Sequence, residues 1–416
     1  MDAGTVIVGA SQAGLQLAVS LRDLGDTGAI TMVGAEPHPP YQRPPLSKEY
    51  LSGTADGGTL AFRAPSFYAD QGIDLVCGER VDVVELLPDG SGAGRARTSG
   101  GQELSFERLA LTTGAEPRRL TVPGADLDGI CYLRDLDDAE ELRTRLAEAR
   151  RVVVVGGGFV GLEAAAVARA RGLEVTVVEA LDRLIARAVA PVVSAFYKQA
   201  HERRGSTVLL GTGVVGFRGT DGRVDTVVLT DGTEVPADLV MVGVGVVPRT
   251  GLAEQLGLEC DGGIVVDRYA RTSNPAVVAA GDCTVLPHPV TGEGRVRLES
   301  VNNAVTQAST AAATLMGKLE VVPNVPWFWS NQGDLRLQIA GLAAGFDDFV
   351  VRGEPDSERF SVLYYREGRL IAVDAVNAPG DYMVVRKALT QGTSIPADQA
   401  ADASTPLKKL LTPVAA

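Results

Sequence analysis

Paired cysteines are missing from this sequence. Its four, Cys77, Cys131, Cys260 and Cys283, stand far apart and form neither a C-x-x-C nor a C-x₄-C pair, which leaves no redox disulfide and no zinc framework to read. Small buried hydrophobes are the expectation for all four. Histidine is scarce: His38, His201 and His288 are the only three, none in a Ser/His/Asp or metal-ligand arrangement, so loop or surface positions are expected of them. Positive charge is in deficit, with 39 Lys and Arg against 52 Asp and Glu and a formal net charge of −13. That balance argues against nucleic acid or an anionic membrane as the main partner, while leaving room for a local basic patch. No apolar run is long enough to span a bilayer, and the first strand begins at about Thr5, leaving no room for a signal peptide. A cytoplasmic location is the expectation.

Glycine is present where it has meaning. Val6-Ile7-Val8-Gly9-Ala10-Ser11-Gln12-Ala13-Gly14 and Val152-Val153-Val154-Val155-Gly156-Gly157-Gly158-Phe159-Val160-Gly161 each read as a buried strand ending in a tight turn that opens a helix. Backbone N–H groups and a positive helix end then face a pyrophosphate. Each turn is followed by a second strand ending in an acid, Glu36 or Glu179, placed to accept from ribose hydroxyls. Two complete units in one chain imply two dinucleotides.

At 416 residues the chain calls for two or three domains. After the first unit come the proline-rich run Pro39 to Pro45, a helix around 66–71, and strands over 75–77, 81–87, 95–98 and 106–112 that read as a β-meander. An amphipathic helix over 135–149 leads into the second unit, followed by a strand over 207–210, a hairpin over 214–218 and 223–229 turning at Asp221-Gly222, and an apolar strand over 238–243. The pattern then returns to the first type, so the second domain reads as an insertion. The expected layout is an α/β chain with two Rossmann-like nucleotide-binding domains and a C-terminal α+β domain. Its divisions are 1–110 with 238–319 for the first cofactor, 111–237 for the second, and 320–416, whose tail over 397–416 is expected to be partly mobile.

The run Pro40-Tyr41-Gln42-Arg43-Pro44-Pro45-Leu46-Ser47-Lys48, the triple glycine with Phe159-Val160-Gly161-Leu162-Glu163, the segment Ala280-Gly281-Asp282-Cys283 and Pro326-Trp327-Phe328-Trp329-Ser330 together resemble the FAD-containing NAD(P)H-dependent ferredoxin reductases of the putidaredoxin reductase type. That family supplies electrons to cytochromes P450 or Rieske oxygenases through a small iron–sulfur ferredoxin. The resemblance runs from about Thr5 to about Leu389 and implies glutathione-reductase-type nucleotide domains. It puts FAD on the first unit: Gly9, Ser11, Ala13 and Gly14 at the pyrophosphate, Glu36 at the ribose, Arg43 as a clamp and Lys48 beside flavin N5. Val81 falls on the adenine side, Arg134 on the flavin side, Asp282 at the ribityl chain, and Val301 at a helix start facing the pyrimidine end of the ring. Trp329 falls to the flavin or the partner. NAD is implied on the second unit, with Gly156, Gly158, Phe159, Val160 and Gly161 at the turn and Gly243 closing the adjacent strand. Glu179 receives the adenosine ribose and Glu163 lies near the nicotinamide carboxamide. A carboxylate at 179 disfavours a 2′-phosphate, so NADH is expected ahead of NADPH, although Arg183 and Arg187 stand close enough in sequence to reach one.

Two departures stand out. The middle glycine of the first fingerprint is Ser11, and Trp329-Ser330 is followed by Asn331-Gln332-Gly333 where the family usually has Asp-Gln-Tyr. The chemistry implied is hydride transfer from NADH to FAD and single-electron delivery to the ferredoxin, with Lys48 and Glu163 as the catalytic residues. Arg43, Arg295, Arg297 and Arg336 are the candidates for a basic docking patch. Two alternatives stay open: a redox-sensing NADH-binding flavoprotein of the apoptosis-inducing-factor type, and an NADH oxidase.

Overall fold

The computed structural model describes residues 4–413 apart from 290, 291, 293 and 323. Contacts divide the chain into two compact units. One comprises Met1–Gln42, Gly58–Glu116 and Val246–Pro326; the other comprises Arg43–Gly57, Pro117–Gly245 and Trp327–Ala416.

The sheet of the first unit runs in the order Ile73–Cys77, Ile30–Gly34, Gly4–Val8, Glu103–Leu111, Gly94–Thr98, Val81–Leu86, with Val277–Ala279 also pairing with Glu103–Leu111. Its parallel half explains the apolar run at the amino terminus, because strands covered on both faces have no solvent side; Val6, Ile7 and Val8 are all buried. The expected meander is shorter than its four strands. Ile73–Cys77 pairs in parallel with Ile30–Gly34, at the opposite edge from Val81–Leu86, and only the last three strands run antiparallel in succession. The helix Pro65–Asp70 makes the crossover that a parallel neighbour requires. Helices Gln12–Asp23 and Val301–Leu315 both bury alanines, Ala13 and Ala18 in one and Ala304, Ala308, Ala311 and Ala312 in the other, in one core cluster. Small side chains let their backbones come close.

The second unit carries an all-parallel sheet in the order Thr207–Leu210, Glu174–Glu179, Arg151–Val155, Leu239–Val242, Ile130–Cys131. Val152 to Val155 fill its centre and are buried, each such side chain contributing roughly 1.5–3 kcal/mol. Leu239–Val242 lies beside Arg151–Val155 in parallel, so this strand pairs in the second sheet, whereas the sequence division at 237/238 groups it with the first. A three-stranded antiparallel excursion, Val214–Thr220, Arg223–Leu229 and Glu234–Pro236, stands between the strands of that sheet. Its hairpin turns with positive φ at both Asp221 and Gly222, the combination a tight two-residue hairpin demands. The helix Leu136–Glu148 starts in a capping box between Asp135 and Asp138.

The same unit includes a five-stranded antiparallel sheet, ordered Trp327–Gln332, Leu335–Gly341, Arg369–Val376, Arg359–Arg366, Asp348–Glu354. One core cluster runs from Val152 and Leu162 to Leu337, Phe360 and Tyr364, so the carboxy-terminal segment groups with the second glycine unit. The tail is more ordered than expected through residue 413. Ala400 and Leu407 are buried, Thr412–Pro413 pairs with Thr393–Ser394, and buried Arg352 donates to the carbonyls of Ala400, Asp402 and Thr405. Residues 414–416 lie outside the described residues.

Candidate active site

In the first unit, Gly9 has φ +118°, and a Cβ there would lie 2.1 Å from the Thr112 carbonyl oxygen; one on Gly14 would lie 1.9 Å from the oxygen of Gly9. Both glycines are imposed by backbone meeting backbone. Ser11 is the N-cap of Gln12–Asp23 at φ −136°, ψ −153°, an extended conformation open to any residue. Ala13 is buried against Gly281, where an added Cβ would come within 3.2 Å of the alanine methyl. Glu36 accepts a 2.5 Å hydrogen bond from the Tyr41 hydroxyl. Val81 is buried at the start of its strand. Val301 opens the helix Val301–Leu315, whose N-cap Ser300 accepts from Asn303 N, so its first-turn N–H groups form a positive end. Asp282 follows Gly281, whose N–H donates 2.8 Å to Gln307 Oε1. Gln307 also receives Thr284 Oγ1 and Asn303 Nδ2 and shapes the Asp282 loop. Sequence reasoning missed it, though a glutamine four residues after an asparagine on an alanine-rich helix face was the available signal.

The second unit repeats the turn. Gly156 has φ +107°, with a Cβ blocked 2.3 Å from the Gly243 oxygen, and a Cβ on Gly161 would lie 2.4 Å from the oxygen of Gly156. Gly243 itself faces Gly161 at ordinary contact distance, and nothing lies within 4 Å of the position a Cβ would take on Gly158. Phe159 packs on Phe328 with ring centroids 4.6 Å apart, and Val160 is exposed. Glu179 ends its strand, with Oε2 accepting from Gly157 N at 2.6 Å and Oε1 from Leu181 N at 2.8 Å. Arg183 is turned to a structural task, donating to the carbonyls of Val189 and Ala186 and to Ser194 Oγ. Arg187 is exposed.

Also in the second unit, Lys48 and Glu163 form a salt bridge at 2.6 Å, with side-chain exposures of 11% and 3%. Ser47 Oγ donates 2.5 Å to Glu163 Oε2, and Ser330 Oγ donates 2.7 Å to Oε1, so every contact of this carboxylate is a charge-assisted hydrogen bond. Gln332 Nε2 donates 3.3 Å to Ser330 Oγ, and His201 Nε2 lies 2.8 Å from Gln332 Oε1. His201 is thus buried on the helix Pro191–Arg203, against the expectation of a loop or surface site. Burial pushes its imidazole below the usual pKa. Ser47, Ser330, Gln332 and His201 were not singled out as site residues; Ser47 and Ser330 meet Glu163, and His201 meets Gln332, across more than a hundred residues of sequence, which no local pattern reports. Arg43 donates to the Arg134 carbonyl at 2.7 Å. Trp329 is half-buried and stacks on Trp327, ring centroids 5.4 Å apart and 29° between planes, as alternate residues of one strand should.

Of the proposed docking arginines, Arg295 is paired with Glu259 and Arg297 with Glu299, which cancels much of their field. Cys131 and Cys283 are buried, but Cys77 and Cys260 are only partly so; burial drives the Cys131 thiol to about 12. Among the described residues no cluster of His, Cys, Asp or Glu could hold a metal ion, and no helix is long and apolar enough to cross a membrane.

Residues 4–308 match the family model for pyridine nucleotide-disulphide oxidoreductases, and residues 327–411 match the reductase C-terminal model. Rhodocoxin reductase from Rhodococcus erythropolis is 46% identical over 97% of this chain and 93% of its own. Among solved structures, the ferredoxin reductase for the CYP199A2 system from Rhodopseudomonas palustris superposes with a TM-score of 0.94 at 42% identity, covering 99% of this chain and 100% of that one. The covalent putidaredoxin reductase–putidaredoxin complex matches with a TM-score of 0.93 at 38% identity, over 98% of each chain. With both nucleotide turns in place and the likeness spanning the whole chain, the protein belongs to the pyridine nucleotide-disulphide oxidoreductase family and, within it, to the ferredoxin reductases of the putidaredoxin reductase type.

Proposed function

We propose that this chain carries electrons from NADH, in preference to NADPH, through FAD to a small iron–sulfur ferredoxin serving a cytochrome P450 or Rieske-type oxygenase. The observation that carries this reading is a pair of backbone-built dinucleotide cradles in a chain with neither a C-x-x-C nor a C-x₄-C pair. Disulfide reductases of this fold need such a dithiol to take electrons onward. The residues fit FAD in the first unit: a glycine turn closed against Thr112, a helix N-terminus behind it, and a carboxylate held by Tyr41. Bound there, FAD supplies the means to accept an electron pair and release it singly.

The protein's own groups do the rest. Gly9 makes the turn while Ala13 and Gly14 leave backbone N–H groups at the helix start for the pyrophosphate, and Glu36 accepts from the ribose. Asp282 and the helix starting at Val301 supply a polar group and a positive helix end. Arg43, Val81, Arg134 and Trp329 are assigned to the FAD side on the family pattern. Gly156, Gly158 and Gly161 form the NAD cradle, bordered by Phe159, Val160 and Gly243. Glu179 supports NADH selectivity because its charge sits at the turn where a 2′-phosphate would have to approach, and Arg183, committed to three backbone and hydroxyl partners, does not offset it. Lys48, salt-bridged to Glu163, is assigned to the flavin edge on the family pattern, where its ammonium would supply a positive charge.

Stopped-flow mixing of the FAD-loaded protein with NADH, then with an oxidised ferredoxin, tests the reading. Flavin bleaching by NADH and reoxidation by the ferredoxin are expected; bleaching with reoxidation by oxygen alone makes the protein an oxidase. Lys48→Ala should slow bleaching on the order of 10²-fold with little change in NADH affinity. An equal loss in both would reduce Lys48 to a general electrostatic contribution.

A further inference from the structure

The carboxylate of Glu163 stands at one end of a hydrogen-bond chain whose direction can be deduced atom by atom. Ser330 has one hydroxyl hydrogen, and an ionised carboxylate only accepts, so at 2.7 Å that hydrogen goes to Glu163 Oε1. Gln332, 3.3 Å from the same hydroxyl, must then donate to it through Nε2. Its amide oxygen is left facing His201 Nε2 at 2.8 Å, and an amide oxygen only accepts, so His201 carries its proton on Nε2. All four side chains are at least nine-tenths buried, where an unmade hydrogen bond is costly. Removing the histidine donor would free the Gln332 amide to turn over and present its oxygen to Ser330. The serine proton would follow that oxygen, and Glu163 Oε1 would lose its donor.

We infer that His201 is a positioning residue, acting through the Gln332 amide and the Ser330 hydroxyl to fix the Glu163 carboxylate against Lys48. The inference rests on the reading of Lys48 and Glu163 as the charged pair of the reaction, and on no contact of His201 with either nucleotide.

The chain contains only three histidines, so ¹⁵N-histidine labelling of the FAD-loaded protein gives three ring systems, with His201→Gln identifying the third. The expected spectrum has His201 neutral, protonated on Nε2 and bare on Nδ1; an Nδ1–H tautomer reverses the chain and overturns the inference. Kinetics supply the second arm. Ser330→Ala should lower the limiting rate of flavin reduction about tenfold, the value of one hydrogen bond to a charge, with the NADH dissociation constant within about twofold of its starting value. His201→Leu should do the same alone and add nothing in the Ser330→Ala background, while His201→Gln, which can still donate, should recover most of the rate. Gln332→Glu, matched in shape, should reproduce the loss and covers the case in which His201→Leu does not fold. Effects of His201→Leu and Ser330→Ala that multiply show independent action and overturn the proposal. If Lys48→Ala leaves the limiting rate unchanged, the reading of the pair fails; if it slows reduction while the relay variants do not, only the relay fails.

Discussion

The two glycine turns have the same skeleton and different occupants. In each, the first glycine donates its N–H to the second strand, Gly9 to the Val33 carbonyl and Gly156 to the Val178 carbonyl, both at 2.8 Å. The next residue of that strand is therefore Gly34 in one unit and Glu179 in the other. Ala10 explains the difference. An added Cβ on Gly34 would lie 2.6 Å from the Ala10 methyl, whereas the matching position of the second turn is Gly157, whose missing methyl leaves room for the Glu179 side chain and Leu184. Without a side chain at 34, the acid the first unit offers is Glu36, two residues on, steadied by Tyr41. The second folds Glu179 back onto Gly157 N. One methyl group thus moves the carboxylate along the strand, and the acid of the second unit is built into its own turn.

The comparison breaks most severely at its shared positions. Gly9→Ala and Gly156→Ala each force a methyl group onto a carbonyl oxygen at 2.1 or 2.3 Å in a backbone conformation that alanine resists. A cost of at least about 3 kcal/mol is expected. Gly9→Ala should purify largely without FAD, read by the 450 nm absorbance per protein. Gly156→Ala should keep FAD and lose measurable NADH binding by titration. If both variants lose both nucleotides alike, the two turns are not independent supports.

Glu179→Gln tests the built-in acid with a smaller effect. It removes the charge but keeps one oxygen for a backbone donor, so the ratio of kcat/KM for NADH over NADPH should fall by roughly tenfold, the scale of a like-charge contact relieved at a partly solvated site. An unchanged ratio would assign selectivity elsewhere, with Arg187 the first residue to examine.

The parts legible in sequence were those set by near neighbours. Strand, turn and helix within Val6 to Gly14 and Val152 to Gly161 follow from local periodicity and glycine spacing, and the helix Leu136–Glu148 follows from its amphipathic pattern. Parallel pairing was harder. Ile73–Cys77 carries no mark of the edge it joins, and the strand Leu239–Val242 looks the same whichever sheet receives it. The environment of Glu163 was hidden for the same reason: Ser47, Ser330 and His201 reach it only through long-range packing. Lys48 and Glu163 were nameable because the family pattern names them, but their salt bridge became visible only in three dimensions.

The smallest expected effect falls on a position where the turns differ without strain. Ser11 and Gly158 are both N-caps in extended conformations, φ −136° and −81°, and among the described residues beyond its chain neighbours no atom lies within 4 Å of the Cβ position of Gly158. Backbone contacts do not impose glycine there; on the proposed reading a bound pyrophosphate is what would meet a side chain. Ser11→Gly should therefore leave FAD content and melting temperature nearly unchanged, a backbone-entropy cost of at most about 1 kcal/mol being its main consequence. Gly158→Ser should leave stability unchanged and weaken NADH binding by a few-fold, the difference between a crowded phosphate and one that accepts from a hydroxyl. The measurements are thermal unfolding alongside NADH titration of each variant. If Gly158→Ser lowers the melting temperature by more than a few degrees, that glycine serves the fold, and the distinction between backbone-imposed and ligand-imposed glycines fails at the position where it is most sharply drawn.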